Sequence, residues 1–228
     1  MMTEQASLTK QILISFPPNS MIARGMAYDC YAACRAMNLR CDIIDFSSQH
    51  ADPAHISTRI FHEKITQKKP SLFLTFNDFC VTEQLFLINN VIVASWFLDA
   101  PFSIVKQKRT HYKKDPRYYT FVFDKYYIPS LHAAGFRNVF HLPLAANYER
   151  LSAAEVSQND RDTYQCDVAF VGNPTDKRKR IITELSNHLP VDVWGYPGWK
   201  KVTHKNLRYH GHIDYQSELP KLFRSAAI

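Results

Sequence analysis

The stretch VAFVGNPTDKRKR, residues 168–180, joins a short apolar run to a glycine and a cluster of four cationic side chains. Gly172 would let a ligand approach the backbone closely, and Asp176 is placed to cap a following helix. The positive end of that helix, together with Lys177 and Arg178, would attract an anion. Such residues can form a diphosphate-type site, although the stretch is neither a Walker loop nor a GxGxxG loop. Charge alone favours the other interpretation, a solvated basic face on an ordinary helix.

A second set of polar residues follows the predicted strands of the first part of the chain. In open parallel sheets, ligands bind beyond the carboxyl ends of the strands, so these residues are candidates for ligand binding. The alternative is that they form turns and helix caps, which we expect for Asp124. The set comprises Asn19, Ser20, Asn77, Asp78, Asp99, Asp124 and Asn147.

Asp99 is the candidate catalytic residue. The sequence SWFLDAPF places its carboxylate between an aromatic pair and Ala100-Pro101. We expect this setting to be partly desolvated and to raise the pKa of Asp99 towards that of a useful base. Asp99 is therefore predicted to act in catalysis or to bind an acceptor.

Metal sites are not predicted. His210 and His212 lie two residues apart without a cysteine or carboxylate set at ligand spacing, so we interpret them as surface residues. The string Asp160-Arg161-Asp162 lies in a predicted linker rather than after a strand. No Ser/His/Asp or Cys/His nucleophile pattern stands out.

The elements that must position these residues alternate between strands and helices. Apolar runs predict six strands before residue 145, and helical spacing predicts helices around 20–38, 54–67, 80–89 and 125–134, the last closed by Gly135. This alternation indicates a doubly wound, Rossmann-like parallel α/β sheet. The predicted strands are 11–16, 41–46, 71–76, 91–97, 118–123 and 138–143.

A second strand and helix series begins at CDVAFV and defines the predicted domains. It continues with a helix at 176–188, a strand at 191–194, a loop rich in Gly, Pro and Trp, and a helix from about Asp214. The predicted domains are 1–150, a polar linker 151–164, and an incomplete second Rossmann-like domain 165–228. The second series is shorter than such a domain usually is, so we expect a fragment or a remnant.

Composition limits the class of protein and its partners. With 46% hydrophobic residues, the chain of 228 residues can bury a substantial core. It has no apolar run of about 18 residues and no secretory signal pattern, so we expect a cytoplasmic protein without a membrane span. Five cysteines without a CxxC pair suit a reducing compartment.

The net charge of +7 favours anionic partners. The net charge alone does not decide between nucleic acid, acidic lipid headgroups and phosphorylated small molecules as the partner. We do not expect nucleic acid to be the partner, because no short element interleaves aromatic and basic residues.

Several segments resemble a known family, and they occur in the family's order. CDVAFVGNPTDKRKRIITEL, VDVWGYPGW and RYHGHIDYQSELPKLFRSAAI look like the first half of the donor-binding domain of bacterial glycosyltransferases of the spore-maturation CgeB type. Upstream, SWFLDAPF and YTFVFDKYYIPSLHAAGFRNVFHLPLAAN are similar to the accompanying N-terminal domain. The resemblance covers most of the chain.

This resemblance implies a GT-B architecture, in which two Rossmann-like domains face each other across a cleft. The C-terminal domain would hold a nucleotide-sugar donor as substrate, and the N-terminal domain would hold an unknown acceptor. No metal ion or other cofactor is expected. The resemblance matches Gly172 to the family's glycine after the first strand of the donor domain, and Arg178, or alternatively Arg180, to its basic residue. From their positions at strand ends and at the helix start, we predict that Asn19, Ser20, Asp78 and Asn147 bind the acceptor and that Gly172, Asn173, Lys177, Arg178 and Arg180 bind the donor.

The chain departs from the family at RSAAI, where the family continues into another strand. We therefore expect weakened donor affinity and leave open a truncated, inactive form. The alternative function is a non-catalytic module, derived from a glycosyltransferase, that binds a glycan or a protein.

Overall fold

Six parallel strands form the sheet of the first unit, in the order β2-β1-β3-β4-β5-β6. The computed structural model describes residues 11–46, 53–88, 90–102 and 111–227. The prediction of six strands before residue 145 in a doubly wound α/β sheet is confirmed. The strands are β1 (Gln11–Ser15), β2 (Arg40–Ile44), β3 (Leu72–Phe76), β4 (Ile92–Phe97), β5 (Tyr118–Val122) and β6 (Asn138–His141).

Helices follow β1, β2, β3 and β5, as the sequence pattern predicts. Gly135 has a φ of +93°, which favours glycine, and it follows the helix that it was predicted to close. The described helices of this unit are α1 (Met21–Ala36), α2 (Pro53–Lys68), α3 (Glu83–Ile88) and α4 (Tyr127–Ala133), with a 3-10 turn at His111–Lys114.

Both faces of the first sheet are covered by apolar side chains. Phe73 and Val93 pack in one layer with Phe61 of α2. Ile14 packs in the other layer with Ala27 of α1. Burial on both faces explains why the strands read as continuous apolar runs rather than as alternating ones.

Three cysteines meet where α1 packs on β2, and they make the stability depend on pH. Burial raises the pKa of the Cys30 thiol to about 11 and that of Cys41 to about 12, and the neighbouring Cys34 thiol contributes to both shifts. The folded state therefore keeps these protons at pH values where the unfolded chain loses them. The free energy of unfolding should fall as the pH rises above about 9, the ordinary thiol pKa.

We expect Cys41→Ala to reduce this alkaline loss of stability. The check is urea unfolding of both proteins at pH 7.5 and pH 10 in the presence of a reductant, with the change between the two pH values compared. An identical change in the two proteins would contradict the prediction, because other groups would then account for all of it.

The second unit contains three parallel strands in the order β7-β8-β9. The chain divides into the units Met1–Ala145 and Ala146–Ile228. The strands are β7 (Ala169–Val171), β8 (Val191–Trp194) and β9 (Leu207–Gly211). The helices are α5 (Tyr148–Ser152), α6 (Gln158–Tyr164), α7 (Asp176–Ser186) and α8 (Leu219–Ser225), with a 3-10 turn at Pro197–Lys201.

Residues 151–164, predicted as a linker, belong to this second unit. They include the end of α5 and the whole of α6. Ser157 and Asp160 form a capping box at the start of α6. The side chain of Ser157, and then Lys221 of α8, lower the pKa of Asp160 to about 2. This polar helix is thus stabilised by hydrogen bonds and an ion pair rather than by an apolar pattern.

Two further predictions for the second unit need correction. β9 lies in the stretch that was predicted as a loop, because its residues alternate between polar and apolar types at the edge of the sheet. The last helix begins at Leu219, since Asp214 instead accepts hydrogen bonds from Gln216 and Ser217 in a turn. Within the described residues, no helix is both long enough and apolar enough to cross a bilayer.

Candidate functional site

Gly172 lies directly beyond β7, at the carboxyl end of the second sheet. Its N–H donates to the carbonyl of Trp194 at 3.0 Å, and its carbonyl accepts from Nε1 of Trp199 at 2.8 Å. A Cβ at this position would lie 3.1 Å from the ring of Phe170. The peptide of Gly172 is therefore held in place, with little space for a side chain.

Helix α7 begins four residues after Gly172, at Asp176, and has Thr175 as its N-cap. The Thr175 hydroxyl accepts from the N–H of Arg178 at 3.3 Å, whereas Asp176, the predicted cap, is the first residue of the helix. Thr175 has the extended backbone that an N-cap requires, and its ψ is 156°. The N–H groups of Asp176 and Lys177 make no hydrogen bond with the described residues, so they are open to an anion.

Four cationic residues, Lys177 to Arg180, lie in the first two turns of α7. Arg178 donates to the carbonyl of Asn173 at 3.2 Å, and Lys179 lies 3.8 Å from Asp176. Lys177 and Arg180 are exposed and form no ion pair within the described part of the chain. Positive potential therefore adjoins the start of α7, and anion binding there stays a prediction.

The loop of Gly195, after β8, packs against the loop of Gly172. It was not predicted as part of the site from the sequence. Gly195 follows β8 with a φ of +149°, and a Cβ there would overlap the carbonyl of Gly172. A Cβ at Gly198 would lie 2.8 Å from Cγ of Pro174. The sequence pattern that could have identified this loop is a glycine directly after a predicted strand, which Gly195 shares with Gly172.

A charged cluster on β8 and β9 was also missed. The carboxylate of Asp192 is 3% exposed and accepts two hydrogen bonds from Arg208, at 2.9 and 2.7 Å. It also contacts Nε2 of His210 at 2.5 Å, and the His210 ring stacks on Trp194 with centroids 4.5 Å apart. His210 is exposed, as predicted, and its ring also contacts the buried carboxylate of Asp192. No described group of histidine, cysteine and acidic residues could hold a metal ion.

In the first unit, Asn77 and Asp99 come together at the carboxyl ends of β3 and β4. The Asn77 amide donates to the Asp99 carboxylate at 2.8 Å and accepts from the N–H of Leu98 at 2.8 Å. Asp99 is exposed, so the partly desolvated setting expected for it is not found. The aromatic residues before it, Trp96 and Phe97, are buried in the sheet instead.

Asp78 is buried, so it cannot bind an acceptor from the surface as predicted. It is 1% exposed, and its carboxylate accepts from the hydroxyls of Tyr112 at 2.8 Å and Tyr118 at 2.5 Å. Burial, and then the Asp78 charge, raise the pKa of Tyr118 well above its ordinary value. Ser95 accepts from the backbone N–H of Asp78 at 3.1 Å, so Asp78 anchors the loop after β3.

The remaining predicted residues occupy turns and helix starts. Ser20 caps α1 and Asn147 caps α5, which places Asn147 in the second unit. Asn19 is exposed beside Ser20. Asp124 accepts from the N–H of Tyr126 in a turn before α4, in agreement with its expected structural role.

Comparison with known proteins shows a likeness of fold only. No protein-family model matches the chain, and no curated protein sequence matches it. A glycosyltransferase from Rickettsia africae ESF-5 has a similar structure, with a TM-score of 0.53 and 9% sequence identity over 95% of this chain and 71% of that one. The spinosyn rhamnosyltransferase SpnG complexed with thymidine diphosphate matches with a TM-score of 0.40 and 12% identity over 95% of this chain and 73% of that one.

The fold class that the sequence predicted is therefore confirmed. A six-stranded parallel sheet followed by a second parallel sheet is the Rossmann-like arrangement of GT-B glycosyltransferases.

Proposed function

We propose that the chain is a glycosyltransferase that binds a nucleotide-sugar donor and transfers its sugar to an acceptor. The observation that carries this proposal is the start of α7, where free N–H groups and cations adjoin the tightly packed loop of Gly172. A likeness of fold to a glycosyltransferase supports it. The motifs quoted from the sequence lead us to propose the CgeB-like type within this class.

The α7 site would act on the leaving group of the reaction. As the bond from the sugar to the diphosphate breaks, negative charge accumulates on the diphosphate oxygens. Backbone N–H groups of Asp176 and Lys177, and the guanidinium of Arg178, would stabilise that charge more in the transition state than in the bound donor. These groups take the role that a metal ion would otherwise have, so the proposal includes no metal ion.

Asp99 is the proposed proton acceptor for the attacking hydroxyl group. The amide of Asn77 fixes one of its carboxylate oxygens, which leaves the other oxygen for an acceptor. Its exposure is compatible with binding an acceptor at the surface of the first unit. Asn19 and Ser20, which follow β1, are the proposed neighbours of that acceptor.

The test is isothermal titration of the full chain with UDP, GDP, TDP and their sugars. We expect one of these diphosphates to bind, and Arg178→Ala to weaken it about tenfold, since a charge-assisted hydrogen bond contributes roughly 1.5–3 kcal/mol. Arg161→Ala is the control, because it removes the same charge from α6. Thermal melting of each variant shows whether the fold is intact.

A non-catalytic binding module is the second candidate. The burial of Asp78 favours it, because one of the four predicted acceptor residues is then occupied by tyrosine hydroxyls. Failure of every diphosphate to bind at millimolar concentration would contradict the transferase proposal and leave this module as the better reading.

A further inference from the structure

One exposed aromatic side chain lies beside the predicted anion site of the second unit. Tyr196 is 50% exposed and comes two residues after β8. The other large apolar or aromatic side chains that are exposed in the described part of this unit lie in helices or just before β8. They are Tyr148, Ile181, Leu189 and Phe223. Among these described residues, only Tyr196 is therefore placed at the carboxyl ends of the strands, where ligands of open parallel sheets bind.

Hydrogen bonds fix the backbone on both sides of Tyr196. The N–H of Gly195 donates to the carbonyl of Gly211 at 2.7 Å, and the Gly195 carbonyl accepts from the hydroxyl of Tyr209 at 2.9 Å. The carbonyl of Tyr196 accepts from the N–H of Trp199 at 3.2 Å. The ring is thus attached to a segment that is already held in place, so a ligand that contacts it pays little for ordering the backbone.

The contacts within the second unit do not explain why this position carries a tyrosine. Its backbone is extended, with a φ of −67° and a ψ of 154°, a conformation that any residue adopts. Within the part of the chain that the structure describes, its side chain makes no hydrogen bond and no contact with another ring. The fold therefore leaves this ring available to a ligand.

The segment of Tyr196 is packed against the loop of Gly172. A Cβ on Gly195 would overlap the carbonyl oxygen of Gly172, and a Cβ on Gly198 would lie 2.8 Å from Cγ of Pro174. Neighbouring strands of a sheet lie about 4.8 Å apart. A nucleoside attached to a diphosphate at the Gly172 loop is large enough to cross this spacing and to reach Tyr196.

We propose that Tyr196 binds the nucleoside of the donor by stacking its ring on the base, an inference that rests on the proposed function. Every nucleobase presents a π face, and stacking on an aromatic side chain strengthens binding without selecting one base. The ring, rather than the hydroxyl group, is the part of Tyr196 that acts. The diphosphate and the nucleoside would then use the ends of two neighbouring strands, β7 and β8.

The test is isothermal titration of the full chain with UDP, GDP and TDP, with their sugars, and with inorganic pyrophosphate. The variants are Tyr196→Ala, which removes the ring, and Tyr196→Phe, which keeps it. Tyr148→Ala is the control, because it removes a ring that is 78% exposed in the same unit. Thermal melting of each variant shows whether the fold is intact.

We expect the wild-type chain to bind one nucleoside diphosphate more tightly than it binds pyrophosphate. Tyr196→Ala should weaken binding of that nucleoside diphosphate about tenfold and should change pyrophosphate binding by less than about twofold, because pyrophosphate has no base to stack. Tyr196→Phe and Tyr148→Ala should bind both ligands within about twofold of the wild type.

Equal affinity of the wild type and Tyr196→Ala for the nucleoside diphosphate would overturn this inference, while a loss of binding in Arg178→Ala would still support the proposed function. Equal weakening of pyrophosphate would also overturn it, because the loop and not the ring would then be the cause. A loss confined to the nucleotide sugars would overturn it by assigning the ring to the sugar. If the wild type binds no nucleoside diphosphate, the proposed function itself is wrong, and this inference with it.

Discussion

Replacing Gly195 with alanine is expected to lower the free energy of unfolding by about 2–4 kcal/mol, through backbone strain and a steric overlap. The residue has a φ of +149°, where side chains are rarely tolerated. The new Cβ would also overlap the carbonyl of Gly172, which accepts the hydrogen bond from Trp199. Urea unfolding at neutral pH measures the loss, and weaker nucleotide binding should accompany it.

Gly211→Ala is the matched control for this prediction. Gly211 also has a positive φ, of +96°, but its Cβ would meet no atom within 4 Å. Only the cost of a positive φ for an L-residue should remain, about 1–2 kcal/mol. If both variants lose the same stability, the packing of Gly195 on Gly172 does not have the effect that we assign to it.

Replacing Asp78 with alanine is expected to cost about 3 kcal/mol, because it leaves two buried tyrosine hydroxyls without their acceptor. Each buried polar group that loses its partner costs about 1–3 kcal/mol. Tyr118 is 1% exposed and Tyr112 is 4% exposed, so water cannot replace the carboxylate without a rearrangement. Chemical denaturation measures the difference.

A rescue experiment separates this hydrogen-bonding effect from a loss of packing. Adding Tyr112→Phe and Tyr118→Phe to the Asp78→Ala variant should recover part of the stability, since no hydroxyl then remains unpaired. Asp124→Ala, which removes an exposed carboxylate after β5, should cost about 1 kcal/mol or less. A triple variant no more stable than Asp78→Ala alone would contradict the mechanism.

The positions of the strands in the first unit could be predicted from sequence because their apolar runs are local and strong. Strands such as Leu72–Phe76 are buried on both faces, so nearly every residue carries the signal. The polar helix α6 and the edge strand β9 do not have such an apolar run. Their stability depends on the Asp160 ion pair with Lys221 and on pairing with β8, which are contacts between residues distant in sequence.

The candidate anion site was predictable for a related reason. Gly172 follows a recognisable strand, and Arg178 lies in the first turn of a recognisable helix, so both positions follow from local pattern. The choice of Thr175 over Asp176 as the cap was not predictable in this way. Both residue types are good N-caps, and only the backbone angles decide which of them has the extended conformation.

Sequence alone determined the strands of the first unit, the α/β class and the presence of polar residues at the strand ends, because hydrophobic period and turn chemistry act over a few residues. Tertiary structure decided which of those polar residues are exposed. Asp78 and Asp99 have equivalent places after neighbouring strands, yet tyrosines from distant segments bury Asp78, while Asp99 remains at the surface. Burial depends on contacts between segments far apart along the chain, and a local sequence pattern does not predict these contacts.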